Sequence, residues 1–139
     1  MSNSDIQDND RGHNVAASGR DFDFFYAGLE LQKLLVQKCI ACGALRNPPA
    51  PACPSCQSLK WEPVALTGNG TIYSFMIHHH PPLHDFPVPL PVVLVDMAEG
   101  IRMTGPMDGT PPDSLRIGLP VATEFVRRGK VAAFRFKLI

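Results

Sequence analysis

The pattern of hydrophobic positions divides the chain into a polar N-terminal segment, one short helical segment and a long series of strand-like segments. Residues 1–20 contain no aromatic residue and no apolar period, which predicts a disordered tail. After Asp21, a residue type favoured at helix N-caps, apolar side chains recur at i, i+3, i+4 and i+7. These side chains are Phe22, Phe25, Tyr26 and Leu29. The spacing predicts an aromatic helix within residues 21–35.

The aromatic stripe of this helix has two interpretations. Three large aromatic side chains in a short helix form a sizeable apolar face if they are left uncovered. The stripe therefore either packs on the chain's own core or docks on a partner, and both interpretations remain open. We take Phe22, Phe25, Tyr26 and Leu29 as the candidate docking residues.

From residue 61 onward the chain consists of short runs rich in β-branched and aromatic residues, separated by glycine and proline. Such runs predict strands, and their regular spacing predicts a small barrel or sandwich. The predicted strands are residues 61–66, 71–80, 90–97, 101–104, 119–127 and 131–138. A five-stranded Greek-key barrel of the OB type fits this length. We assign residues 61–139 to an OB-fold domain in a mainly β chain.

All four cysteines of the chain stand in two Cys-x-x-Cys pairs, Cys39/Cys42 and Cys53/Cys56, within residues 36–60. Each pair can turn tightly enough for both sulfurs to reach one ion, and two pairs complete a tetrahedral thiolate site. The pattern resembles the knuckles of rubredoxin, although Gln57 stands where a second glycine is usual. The spacing predicts a zinc ribbon, with iron as the alternative metal. A site closed by four sulfurs is usually structural.

Composition narrows the functional classes. The 139 residues contain 45% hydrophobic residues, enough for a core, and the formal net charge of zero argues against a general nucleic-acid binder. No apolar run approaches the roughly 20 residues that span a bilayer. The N-terminus lacks the hydrophobic core of a signal peptide, so we expect a cytoplasmic protein. A reducing cytoplasm favours metal binding over disulfides for the cysteines.

The remaining polar residues form no complete catalytic set. The four cysteines are assigned to the metal, and the sequence has no Gly-x-Ser-x-Gly elbow, phosphate loop or dinucleotide-binding glycine fingerprint. His78, His79, His80 and His84 lie at a predicted strand end and in the loop after it. Residues in such a place are usually solvated, and a contact with a ligand is the alternative interpretation.

The order of these motifs resembles the DUF35 family, whose members combine a rubredoxin-like zinc ribbon with an OB-fold and accompany acyl-CoA enzymes. The resemblance covers roughly residues 22–138. It rests on the aromatic helix, the two cysteine pairs, and three later segments. These segments are Leu66-x-Gly68-x-Gly70-Thr71, Pro91-Val92-Val93-Leu94-Val95-Asp96 and Ile117-Gly118-Leu119-Pro120-Val121.

The resemblance implies a non-catalytic subunit that supports assembly and acyl-CoA binding in a heteromeric thiolase or acyltransferase. The thiolase-like partner, for example of the benzylsuccinate-pathway type, would carry the catalytic groups. The coenzyme A thioester would lie at the shared site, with Arg46, His79, His80 and Arg102 as candidate contacts on this chain. Ala50 replaces a basic residue that is common in the family, and Arg46 is the candidate substitute.

Two other functions are compatible with the sequence. The first is a stand-alone module that binds CoA thioesters or nucleotides. The second is a single-strand nucleic-acid binder, because OB barrels and zinc ribbons both occur in that class. The zero net charge disfavours the second function.

Overall fold

The computed structural model describes residues 20–139, which form one helix and eight strands. The tail predicted for residues 1–20 lies outside the described residues except for Arg20, at which the helix begins. The elements are α1 (Arg20–Glu30), β1 (Leu34–Cys39), β2 (Leu45–Arg46), β3 (Trp61–Leu66), β4 (Asn69–His78), β5 (Leu90–Met97), β6 (Arg102–Pro106), β7 (Pro120–Arg128) and β8 (Val131–Leu138). A 3₁₀ turn, Pro112–Ser114, lies between β6 and β7. The described helices include none long and apolar enough to cross a membrane.

The first three strands form a small antiparallel sheet in the order β2-β1-β3. The long ladder of this sheet runs between β1 and β3, from the pair Leu34/Leu66 to the pair Cys39/Trp61. β1 therefore delivers Cys39 to one end of the sheet, while its other end lies beside the start of the barrel. The ribbon and the barrel are thus joined through β3, which leads into β4 after two residues.

The other five strands form a second antiparallel sheet in the order β6-β5-β4-β7-β8. This sheet curls so that its two outer strands approach each other. A Cβ placed on Gly105 of β6 would lie 2.8 Å from ring carbons of Phe134 and Phe136 of β8, so only glycine allows this approach. The result is the nearly closed five-stranded barrel expected of an OB-fold, and the predicted fold class is confirmed.

One core runs through the barrel and continues under the ribbon. Its side chains include Ile72, Val95, Val121 and Phe136 from the barrel and Leu34 from β1. The helix covers one side of this core, where Leu29 is buried and Phe25 packs edge-on against Phe134 at 6.0 Å between ring centroids. Three residues of the stripe, Phe25, Tyr26 and Leu29, thus pack on the chain's own core.

The observed bounds differ from the predicted ones in two informative places. The helix ends at Glu30, and residues 34 and 35, which the sequence placed in the helical segment, belong to β1. β3, which the sequence placed in the barrel domain, pairs with β1 of the ribbon. In both cases the deciding interaction is the long-range ladder between β1 and β3, which no local pattern specifies.

Ion pairs join β7 and β8 to the loop that follows β6. Asp108 accepts two hydrogen bonds from Arg128, at 2.8 and 3.0 Å, and one from Arg135 at 3.2 Å. Arg128 also stacks over the ring of Phe86 at 4.2 Å, which ties the loop between β4 and β5 to the barrel. Burial raises the pKa of Asp108, but its bonds to the two guanidinium groups outweigh burial and hold the pKa below its ordinary value of 3.8.

We predict that Asp108→Asn lowers the free energy of unfolding by about 3 kcal/mol at neutral pH, because nearly buried Arg128 loses its counter-ion. A carboxyl with a lowered folded-state pKa stabilises the fold above its unfolded-state pKa and loses that effect as the pH falls through the folded-state value. The difference between the variant and the parent chain should therefore shrink below pH 3.8. Urea unfolding at several pH values measures this difference.

Asp96→Asn is the matched control, because Asp96 pairs with Arg102 at 2.8 Å while both side chains are about half exposed. We expect this control to change the free energy of unfolding by less than about 1 kcal/mol. Equal effects of the two substitutions would contradict the importance assigned to Asp108.

Candidate metal centre

The two Cys-x-x-Cys turns have the same backbone geometry. In the first turn Gly43 donates its N–H to the carbonyl of Cys39 at 2.8 Å, and in the second Gln57 donates to the carbonyl of Cys53 at 2.8 Å. Gly43 has φ +79° and Gln57 has φ +65°, so both turns close through a left-handed residue. Gln57 therefore occupies the position in the second turn that Gly43 occupies in the first, although it carries a side chain.

The two turns bring the four sulfur atoms together. All four Sγ atoms lie within 4.8 Å of one another, with separations of 3.5 Å for Cys39–Cys56 and 3.6 Å for Cys42–Cys53. A disulfide needs S–S of about 2.05 Å. A tetrahedral site with Zn–S bonds of about 2.3 Å places its sulfurs about 3.8 Å apart. The donor set and its spacing fit one zinc or iron ion, and the same cysteines were predicted as the ligands.

Backbone amides prepare two of the four thiols to ionise. The Cys42 amide lowers the pKa of Cys39, and the Cys56 amide lowers the pKa of Cys53 to about 6. At Cys42 the Ala44 amide also lowers the pKa, but the Cys53 thiol and burial outweigh it and raise the pKa to about 12. The pKa of Cys56 is raised as well. Each close pair thus combines one thiol with a lowered pKa and one thiol with a raised pKa, and both must lose their protons to bind a metal.

A polar clamp beside the centre fixes the segment between the two turns. The side-chain oxygen of Gln37 in β1 accepts from Arg46 Nε at 2.9 Å and from the Ala50 amide at 2.8 Å. Arg46 Nε also donates to the Ala50 carbonyl at 3.1 Å. The clamp joins β1, β2 and the proline-rich link that carries the second cysteine pair. Its sequence signal is a glutamine inside the otherwise apolar start of β1, which sequence reasoning left without a role.

Comparisons with known proteins agree with this architecture. A family model described as the rubredoxin-like zinc ribbon domain of ChsH2 matches residues 27–62, and one described as its C-terminal OB-fold domain matches residues 63–126. A DUF35 domain-containing scaffold protein of Methanocaldococcus jannaschii is 30% identical over 97 residues, which cover 68% of each chain. The chain belongs to the DUF35 family.

Two further comparisons place this DUF35 chain among proteins named for acyl-CoA chemistry or for an aldolase. It matches a chain of the solved structure titled Ltp2-ChsH2(DUF35) aldolase with a TM-score of 0.84 and 35% identity, covering 89% of this chain and 98% of the other. It is 39% identical over 110 residues to a probable enoyl-CoA hydratase alpha subunit of Thermomonospora curvata. That match covers 79% of this chain and 34% of the relative, so the chain spans about one third of its length.

The four residues predicted to contact coenzyme A lie in different environments of the DUF35 chain. Arg46 is buried, and its two terminal nitrogens are enclosed without a hydrogen-bond partner within residues 20–139. Its contact with a phosphate in solution would require a rearrangement. Arg102 is exposed, bonded to Asp96 and stacked 3.6 Å over the ring of Tyr73. His79 and His80 are exposed after the end of β4, and the contact of these residues with coenzyme A stays a prediction.

The residues predicted to dock a partner are mostly occupied within the chain. Leu29 is buried, while Phe22, Phe25 and Tyr26 are half-buried. A pocket of about 160 Å³ between α1, β6 and β8 is lined by Phe25 and Tyr26 among others. Leu29 is therefore inaccessible to a partner in this structure, and docking on the three aromatic side chains stays a prediction.

We predict that Cys53→Ser removes the metal and unfolds the ribbon locally, because a structural thiolate site loses a ligand that water does not replace at equal affinity. The parent chain should contain about one zinc or iron ion, measured by elemental analysis of the purified protein. Ser55→Ala, an exposed change inside the same turn, is the control and should keep the metal. Full metal content in the Cys53→Ser variant would contradict the assigned ligand set.

The positive φ of Gln57 generates a second prediction for the centre. Gln57→Gly should be neutral or raise the stability of the metal-loaded chain by up to about 1 kcal/mol, because glycine relieves the cost of the left-handed backbone. Gly43→Ala, at the equivalent position, should lower stability by about 1 kcal/mol. Thermal unfolding of the metal-loaded proteins compares the two. A Gln57→Gly variant that is clearly less stable than the parent would refute the equivalence of the two turns.

Proposed function

We propose that this chain is a non-catalytic subunit of an acyl-CoA-processing complex whose partner is an enzyme of the thiolase or aldolase type. The observation that carries the proposal is the match, at 35% identity, over 98% of a chain in the structure titled Ltp2-ChsH2(DUF35) aldolase. The hydratase alpha subunit supports only the acyl-CoA class, because this chain matches one third of it.

The thiols and carboxylates described above are occupied by structural contacts, which favours a non-catalytic role for this chain. The four thiols face one another in a closed site, which leaves no coordination position for a substrate. Asp108 and Glu124 are paired with Arg128 and Arg135. Within residues 20–139 no second group of three or more metal-ligating side chains comes together. The four thiols and these two ion pairs therefore stabilise the structure. The nucleophile for thioester chemistry would come from the partner.

Coenzyme A binding is the finer part of the proposal. The phosphates of the coenzyme would meet exposed basic side chains at the surface shared with the partner, and Arg102, His79 and His80 are the exposed candidates. Arg102 already pairs with Asp96, so a phosphate would compete with that carboxylate for the guanidinium. We therefore expect the isolated chain to bind coenzyme A weakly and the complex to bind it more tightly.

Co-expression tests this function. A tagged chain should be co-expressed in turn with the thiolase- and aldolase-type proteins of the same organism, and one of them should co-purify with it at fixed stoichiometry. The complex should turn over an acyl-CoA substrate, and the isolated chain should not. A chain carrying Cys53→Ser serves as the control for specific association, because it lacks an intact ribbon.

The alternative functions predict different results. Tight coenzyme A binding by the isolated chain would favour a stand-alone module, and titration calorimetry measures that binding. Salt-dependent binding to single-stranded DNA would favour a nucleic-acid binder. The proposed function would be refuted if no acyl-CoA enzyme of the same organism co-purified with the tagged chain.

A further inference from the structure

β4 is the middle strand of the barrel sheet, and more than half of its length is hydrogen-bonded to a neighbouring strand on one side alone. β4 pairs with β5 from Gly70 to His78. Its ladder with β7 ends at Thr71, opposite Pro120. Ile72 adds the last bonds on that side, with its N–H donating to Leu119 at 3.0 Å and its carbonyl accepting from Gly118 at 2.7 Å. No strand of the described chain continues the sheet beside residues 73–78, which we call the open edge.

The direction of the backbone groups on the open edge follows from the neighbouring pairs. The carbonyl of Pro91 in β5 accepts from Met107 at 2.9 Å, so the backbone of Pro91 faces β6 and turns away from β4. Ile77 lies opposite Pro91, and Phe75 lies opposite Val93 two residues further along β5. In an antiparallel ladder, both residues then direct their own N–H and C=O groups away from β5. The open edge thus presents two donors and two acceptors in strand geometry.

Apart from Ser74 and His78, the side chains of the open edge are apolar or aromatic. Tyr73 is 40% exposed, Phe75 37% and Met76 54%, and residues 73–77 contain no charged residue and no proline. Edge strands of monomeric proteins are usually protected by lysine, proline or a covering element. An uncharged, apolar edge with free backbone groups is the surface to which an extended segment adds as a further strand.

The outer face of the sheet extends this apolar surface. A shallow depression of about 260 Å³ lies across β4, β5 and β6, lined mainly by apolar side chains. Met76 and Val92 line it and lie opposite each other in the ladder. The depression begins at the open edge, so one partner surface can cover both.

The geometry favours a different protein over a second copy of this chain. Two copies paired edge to edge would join only the six residues of the open edge in each copy, whereas stable interfaces involve about 20–30 residues a side. A two-fold axis perpendicular to the sheet would also leave the outer depressions of the two copies on the same face of the joined sheet, so neither copy would cover the depression of the other. A larger partner has no such constraint and can fill the depression while it pairs with the edge.

We propose that the open edge of β4 is the docking edge for an extended apolar segment of the acyl-CoA-processing partner, which adds a sixth strand to the barrel sheet. This inference rests on the proposed function, because it assigns the surface through which that partner is held. The depression beside Met76 receives an apolar side chain next to the added strand.

Amide hydrogen exchange, resolved by residue, tests the inference on the complex with the thiolase- or aldolase-type protein that co-purifies with this chain. In the isolated chain, the amides of Phe75 and Ile77 should exchange fast, while the amide of Met76, bonded to β5, exchanges slowly. In the complex, exchange at Phe75 and Ile77 should slow by about tenfold or more, since both amides gain a partner. The amide of Met76 should change little.

Met76→Lys gives an independent test, because it places a charge in the depression without removing a buried side chain. We expect it to weaken the complex by about tenfold or more, measured as a dissociation constant by surface plasmon resonance. Ile139→Lys is the matched control, since Ile139 is 78% exposed and lies outside both the open edge and the depression. The control should bind as the parent chain does.

The outcomes separate the inference from the function on which it rests. A complex with protected Phe75 and Ile77 amides that Met76→Lys weakens supports the docking edge. A complex in which these amides stay unprotected overturns the docking edge and leaves the proposed function intact. A self-associated chain with the same amides protected assigns the edge to a second copy and overturns the inference. The absence of any complex refutes the proposed function itself.

Discussion

The ladder between β1 and β3 is the interaction on which the rest of the structure depends. It holds Cys39 at one end of the ribbon and passes the chain into β4 of the barrel at the other. Between β1 and β3, only Cys53 is a buried hydrophobic residue. The metal and the clamp of Gln37 and Arg46 must therefore supply the order that a larger apolar core would supply elsewhere.

The barrel is nearly closed where β6 meets β8 and is open beside the second half of β4. Gly105 lets β6 approach the aromatic side chains of β8, while β4 continues for several residues beyond the start of β7 at Pro120. The barrel therefore presents exposed sheet surface to its surroundings in place of an enclosed substrate site. Its centre of buried charge, around Asp108, serves to fix a loop to the strands, and its closed thiolate site leaves no place for a substrate. This distribution of interactions suits a subunit that presents a surface to another protein.

Local patterns specified much of this fold. β5 and β8 have the bounds that the sequence predicted, because each is a dense run of β-branched and aromatic residues between turn residues. The metal ligands could be predicted because two short turns of fixed spacing define the site almost alone. The burial of Arg46 and the partner of β3 could not, since both depend on contacts between distant segments. The open edge was equally hidden, because residues 73–77 form an ordinary strand pattern until the missing neighbour is known.

A structure of the complex with the proposed acyl-CoA-processing partner, determined with a bound thioester analogue, would show which chain carries the chemistry. We expect the side chains bonded to the reacting thioester carbon to come from the partner alone. We also expect this chain to contribute its metal-bound ribbon and barrel to the surrounding surface. A side chain of this chain bonded to the reacting carbon would contradict the proposed non-catalytic role.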